Sequence, residues 1–118
     1  MKRIYDWDAQ FCLRNYTAAD LLALKGVRKL TQTTANSEEE AAAAAAAGID
    51  LIMGNAVNAE AVRCGAPNHF YTAAIPMPDH PTEKDVLEAA FLAMKRGADS
   101  IYTARGPHVV ELLAREQI

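Results

Sequence analysis

Two hydrophobic periods alternate along the chain. In 82–96, Leu87, Phe91 and Met94 fall on one stripe flanked by Val86 and Ala90, while Glu83, Lys84 and Lys95 face the other way. That spacing predicts a helix laid on a core. Short runs suited to strands follow helix-like segments at 29–34, 51–53, 70–75 and 100–103. Gly26, Gly48, Gly65 and Gly97 each precede one of these runs, where a left-handed residue closes a helix. The upstream ends agree. Thr17 with Asp20, Ser37 with Glu40, and Thr82 with Asp85 have capping-box spacing, and Pro107 suits the first turn of a last helix. The phrase Gly48-Ile49-Asp50-Leu51-Ile52 returns as Gly97-Ala98-Asp99-Ser100-Ile101, one helix-to-strand joint used twice.

Helix and strand alternating through short joints predict a parallel sheet wrapped by helices, with right-handed crossovers. One helix is unusual: Glu38, Glu39 and Glu40 lead seven alanines. Negative charge suits its first turn, and the alanines give high helix propensity with little apolar area, at roughly 0.8 kcal/mol per buried CH₂. A thin helix of this kind can approach its neighbours closely. The run Leu30-Thr31-Gln32-Thr33-Thr34 is polar on one side, as in a barrel interior or a ligand-facing layer. Four βα units make half of a (β/α)8 barrel, whose usual length is about 250 residues. The chain thus reads as an N-terminal arm and helix (1–27) followed by a half barrel (28–118). Such a half would expose two strand edges and one sheet face, so a homo-oligomer or a complementary half-barrel chain is the expected partner. A small flavodoxin-like sheet also fits the element count, without a Gly-rich phosphate loop after its first strand.

Composition narrows the function classes. The 118 residues are 51% hydrophobic and 23% charged, with a formal net charge of −3, the profile of one globular domain. The mild acidic excess argues against nucleic acid as a partner. The longest apolar run, Ala41 to Ala47, is too short for a membrane span. Cys12 and Cys64 lie far apart without metal-ligand spacing, and two free thiols suit a cytoplasmic setting. The start MKRIYDWDAQ has no apolar signal core. Trp7, Phe11 and Tyr16 are expected to pack on the bottom of the barrel or on a neighbouring subunit.

Two motifs carry a family resemblance. Ala61-Val62-Arg63-Cys64-Gly65-Ala66-Pro67-Asn68 resembles the helix–strand joint of ketopantoate (3-methyl-2-oxobutanoate) hydroxymethyltransferases. Phe91-Leu92-Ala93-Met94-Lys95-Arg96-Gly97-Ala98, with the strand after it and the helix ending Val110-Glu111-Leu112-Leu113-Ala114, is similar too. That family belongs with the phosphoenolpyruvate mutase and isocitrate lyase group of (β/α)8 barrels. The resemblance implies a transferase of pantothenate biosynthesis that adds a one-carbon unit from methylenetetrahydrofolate to a 2-oxo acid. It also implies a magnesium ion, held by aspartates at the ends of strands two and three, that stabilises the enolate. Those positions fall on Asn55 and Ala74 here, and a family lysine and glutamate on strand four fall on Tyr102 and Ala104. The implied metal chemistry is therefore missing from this half.

What chemistry remains lies on the loops after the strands. Arg105-Gly106-Pro107-His108 opens a helix, and free N–H groups plus a guanidinium suit a carboxylate or phosphate; a capped turn with a solvated arginine is the alternative. In Met77-Pro78-Asp79-His80-Pro81, His80 could act as an acid or base and Asp79 as a displaced metal ligand, or the loop could be a proline-braced surface turn. Tyr102 could donate to an oxo acid or simply pack. Asn55 could offer a neutral oxygen. His69, at the other end of its strand, reads as structural. Enzyme and metal-free binding module both remain open.

Overall fold

Side-chain caps mark the starts of three helices in the computed structural model, which covers residues 1–118. The chain opens with β1 (Lys2–Tyr5) and β2 (Phe11–Arg14), followed by α1 (Ala18–Ala23). Then come β3 (Gln32–Thr34), α2 (Glu38–Ala46), β4 (Leu51–Asn55), a 3-10 turn (Ala56–Asn58) and α3 (Ala59–Gly65). The remainder is β5 (Phe70–Ile75), α4 (Glu83–Lys95), β6 (Ser100–Thr103) and α5 (Pro107–Arg115). Helices α1 and α4 start with complete capping boxes, Thr17 with Asp20 and Thr82 with Asp85. At α2 only half the box forms. Ser37 Oγ accepts from Glu40 N at 3.1 Å, but the Glu40 carboxylate accepts from Asn36 N instead, at 2.6 Å.

Gly26, Gly48 and Gly97 take positive φ beyond α1, α2 and α4. Gly65 does not. It ends α3 without a left-handed turn, and its missing side chain serves another purpose. A Cβ there would collide with the Glu38 carbonyl oxygen and lie 2.9 Å from Ala42 N. The alanine helix α2 thus crosses α3 nearly backbone to backbone, with Ala41 and Ala44 buried. In α4 the buried positions are Val86, Ala90, Ala93 and Met94, so the inward face is centred on small residues rather than on Leu87 and Phe91. Phe91 turns aside to meet Trp7, ring centroids 5.6 Å apart.

The strands β3-β4-β5-β6 form one parallel sheet in chain order. No strand order reverses, which removes the flavodoxin-like alternative. Consecutive right-handed crossovers place successive helices on the same face. That face holds the core: Ile52, Tyr71, Ala73 and Ile75 pack with Val62, Val86, Ala90 and Val109. Burial pushes the Tyr71 hydroxyl up to about 12, and it donates to the carbonyls of Asn55, at 3.2 Å, and Gly54. β3 is shorter than the run 29–34: at Thr31 the N–H goes to the Asp50 carboxylate and only the carbonyl bonds β4, through Leu51 N. No helix is long and apolar enough to cross a membrane.

The opposite face carries three registered rows. Gln32, Leu51 and Phe70 form the lowest, then Thr34, Met53, Thr72 and Ser100, then Asn55, Ala74 and Tyr102 at the C-terminal ends. None is charged. Only Phe70 is buried.

The repeated Gly-x-Asp joint explains how the strands are fastened. Asp50 accepts from Thr31 N at 2.9 Å, from Tyr16 Oη and from Arg28, clasping β4 to the lead-in of β3. Asp99 accepts from Tyr71 N at 2.9 Å and returns its own N–H to the Tyr71 carbonyl, clasping β6 to β5. Asn15 sews the two pairs together, donating from Nδ2 to the Asp50 carbonyl at 2.7 Å and accepting from Phe70 N at 2.8 Å. Asn15 follows an antiparallel hairpin, β1 with β2, that the sequence reading treats only as an arm. Its turn is fixed by Asp6 Oδ1, which accepts from Asp8 N and Gln10 N. Tyr16 reaches the sheet bottom through Asp50. Phe11 does not pack there: it is half exposed, edge-on to Tyr5 and beneath Arg3.

Asp99 is also the counter-ion of two guanidiniums. Arg14 Nε lies 2.8 Å from Oδ1 and Arg63 Nη2 2.9 Å from Oδ2, with the Arg14 side chain only 3% exposed. Both arginines also donate to the Gly97 and Pro67 carbonyls. Burial lowers the Arg63 pKa, opposed by Asp99. Removing one partner of a buried pair costs about 3–5 kcal/mol. Asp99→Asn is therefore expected to lose about that much in denaturant unfolding, and Asp50→Asn less, because its partner Arg28 is half exposed. Asp50 is held below its ordinary 3.8 chiefly by the Thr31 backbone N–H. A depressed carboxylate stabilises fully above the unfolded value and ceases to do so as pH falls through the folded one. The thermal midpoint should thus drop below about pH 4, and the drop should be shallower in Asp50→Asn.

Candidate ligand site at the C-terminal rim

The rim is set by backbone register. Asn55, Ala74 and Tyr102 are direct partners on adjacent strands, so Asn55 and Tyr102 stand about 10 Å apart with only a methyl between them. Beneath that gap the Thr72 and Ser100 hydroxyls bond each other at 2.7 Å. The row thus has an amide on one side and a half-exposed phenol on the other, with the paired hydroxyls in the row below.

Asn36 holds the amide side. Its Oδ1 accepts from Asn55 N at 2.7 Å and from Asn58 Nδ2 at 3.3 Å. Close approach permits this: a Cβ on Gly54 would collide with the Ala35 carbonyl. Asn55 Oδ1 accepts from Val57 N at 3.1 Å, capping the 3-10 turn, which leaves Nδ2 as the group Asn55 can offer a ligand. The loop Ala35-Asn36 is visible in sequence as the end of the first strand; the role of Asn36 is not, because it depends on a contact across 19 positions.

The loop residues form a second group. His80 Nδ1 lies 2.9 Å from the Pro76 carbonyl, and Arg105 Nη2 donates to the His80 carbonyl at 2.6 Å. This ties the β5–α4 loop to the β6–α5 loop, so Arg105 is a brace, half-buried, with its Nε lacking a protein partner. His80 and Asp79 border an outward cleft of about 280 Å³ shared with Asp85 and Glu88 of α4. His108 points to the first turn of α4, its Nε2 3.5 Å from Glu83 Oε1, and is exposed. No hydrogen bond joins His80, Arg105 or His108 to Asn55 or Tyr102. Arg105 and His108 are turned apart, Arg105 to the His80 carbonyl and His108 to Glu83, so the structure does not draw the two together.

The rim does not fit magnesium. That ion is held through carboxylates and water. Of the two positions the resemblance assigns to it, Ala74 has no donor and Asn55 brings one neutral oxygen that already accepts a backbone N–H. Nor do three metal-ligating side chains converge elsewhere. A pterin ring needs an enclosed slot, and Tyr102, the rim row's one aromatic, has no facing wall. No protein-family model and no curated protein matches the chain. Fold and rim define an α/β protein whose four-stranded parallel sheet has a neutral, hydrogen-bonding end, and function has to be read from that chemistry.

Asn36→Ala would strip two donors of their acceptor. A loss of about 1–2 kcal/mol is expected, with faster amide exchange at Asn55 and Val57 than elsewhere in the sheet, measurable by hydrogen-exchange mass spectrometry.

Proposed function

We propose that the four βα units form one half of a (β/α)8 barrel of the ketopantoate hydroxymethyltransferase type, and that this half binds a small 2-oxo acid without a metal ion. The supporting observation is the row Asn55-Ala74-Tyr102. It lies at the C-terminal strand ends, where such barrels bind ligands. A 2-oxo acid presents a carboxylate and an adjacent carbonyl, all acceptors. Asn55 Nδ2, the Tyr102 hydroxyl and the one hydroxyl proton that the Thr72–Ser100 bond leaves free supply neutral donors around a space that Ala74 leaves clear. Free thiols at Cys12 and Cys64 suit the cytoplasm as the compartment.

In this reading the chain is a binding module derived from an enzyme frame. Enolate formation needs strong charge stabilisation in the transition state, and the rim provides neutral donors only. Hydroxymethyl transfer is the second reading, favoured by the family-like joint 61–68, which fixes the entry to β5 through Arg63. It would require carboxylates brought by another chain or segment.

Calorimetric titration of the full chain with 3-methyl-2-oxobutanoate separates the two. Binding is expected to be saturable, indifferent to Mg²⁺, and weakened about tenfold by Tyr102→Phe, the loss of one hydrogen bond to a charged ligand. No binding, binding that depends on Mg²⁺, or hydroxymethylated product in the presence of methylenetetrahydrofolate would overturn it.

A further inference from the structure

The N-terminal ends of the strands gather more positive charge than they neutralise. Arg14 and Arg63 share a single carboxylate, Asp99. Their carbonyl acceptors are shared as well. The Gly97 carbonyl accepts from Arg14 Nη2 and from Arg63 Nε and Nη2, and the Pro67 carbonyl accepts from both side chains. A carbonyl oxygen has two lone pairs, so acceptors are the scarce partner in this cluster. Burial lowers the Arg63 pKa, Asp99 opposes that, and the Arg14 charge lowers it again.

The two guanidiniums line a cavity of about 460 Å³ between the hairpin, α3 and the end of α4. Lys95 and Arg96 line it too, and its carboxylates are Asp6 and Glu60. Four cations thus face two carboxylates, in a chain whose formal net charge is −3. Lys95 and Arg96 suit the C-terminal end of α4, where the helix dipole favours cations. That accounts for their place but gives them no counter-ion. None of the chain's ion pairs uses Lys95, Arg96 or Glu60, and the Asp6 carboxylate is occupied by the hairpin turn.

We propose that this cavity binds the phosphate group of a small molecule, as the free ion or a monoester. Lys95 and Arg96 hold it, and Arg14 and Arg63 are the fixed charge behind them. Phosphate carries about −1.5 to −2 at neutral pH and three acceptor oxygens, where a carboxylate brings one charge and two oxygens. Arg96 can take two of those oxygens as a fork and Lys95 one as a point charge. Asp6 and Glu60 repel a long polyanion, which restricts the ligand to a small one, and the volume lies within the range of small-molecule sites. The cavity sits at the opposite end of the sheet from the row Asn55-Ala74-Tyr102, so it stands or falls independently of oxo-acid binding. Its occupant acts on stability, by supplying the negative charge that the Arg14–Asp99–Arg63 cluster lacks.

Scanning fluorimetry and calorimetric titration of the full chain with inorganic phosphate and with glycerol 3-phosphate test this, ionic strength being held constant with NaCl. A ligand that binds only the folded state raises the thermal midpoint, and a saturable rise is expected at millimolar concentration. Tighter binding of glycerol 3-phosphate assigns the site to an ester; equal or tighter binding of inorganic phosphate assigns it to the free ion. Lys95→Gln and Arg96→Gln should each weaken binding about tenfold, the loss of a hydrogen bond to a charged group. Lys84→Gln, which removes an exposed cation from the first turn of α4, should leave it unchanged. Because Lys95 and Arg96 are unpaired, their variants should keep the parent's circular dichroism and its midpoint without ligand. No saturable effect beyond that of NaCl, binding that ignores both variants, or a loss as large in Lys84→Gln overturns the proposal.

Discussion

Burying the Arg14 guanidinium is the constraint from which the rest of the architecture follows. An arginine so enclosed must find a carboxylate and enough carbonyls to occupy its donors. Asp99 provides the charge, and the Gly97, Pro67 and Leu13 carbonyls provide the remainder. Those groups come from the α4–β6 joint, the α3–β5 joint and the hairpin, so satisfying one side chain fixes three segments. Arg63 then completes the arrangement from α3, filling the space beside Gly97. The N-terminal ends of the strands are in this way charged, cross-linked and rigid.

The C-terminal ends are the reverse. There the side chains are small or neutral, their bonds are to nearby backbone, and Ala74 leaves a gap at the middle of the row. A parallel sheet that concentrates its ionic fastening at one end leaves the other free to vary without loss of the fold. Stability at the bottom and chemistry at the top is the division that barrel sheets use generally.

Much of the frame was legible in the sequence because it depends on local rules. Thr17, Thr82 and Pro107 mark helix starts by capping and by a preset φ, and Gly48 and Gly97 mark helix ends by a conformation few residues adopt. Strands β5 and β6 lie where β-branched and aromatic residues cluster. Gly65 misled, because a glycine chosen for helix crossing and one chosen for positive φ look alike in one dimension. The hairpin was missed because its two strands are four residues each, and its ionic anchor Arg14–Asp99 spans 85 positions. The site was only half visible. Asn55 and Tyr102 were found through the resemblance, whereas the engagement of Arg105 and His108 by the His80 carbonyl and Glu83 needs three dimensions to see.

The sheet is fastened in twos. Asp50 clasps β3 with β4, Asp99 clasps β5 with β6, and at the N-terminal ends of the strands the Asn15 side chain bridges the seam between the clasped pairs. The natural unit of growth for such a layer is therefore two strands and two helices, not one. Duplicating a clasped pair reproduces every fastening it contains, while inserting a single βα unit would separate an aspartate from the strand it grips. A lineage built this way would lengthen or shorten its sheets by even numbers, and the arm that carries Asn15 would be the part obliged to adapt each time.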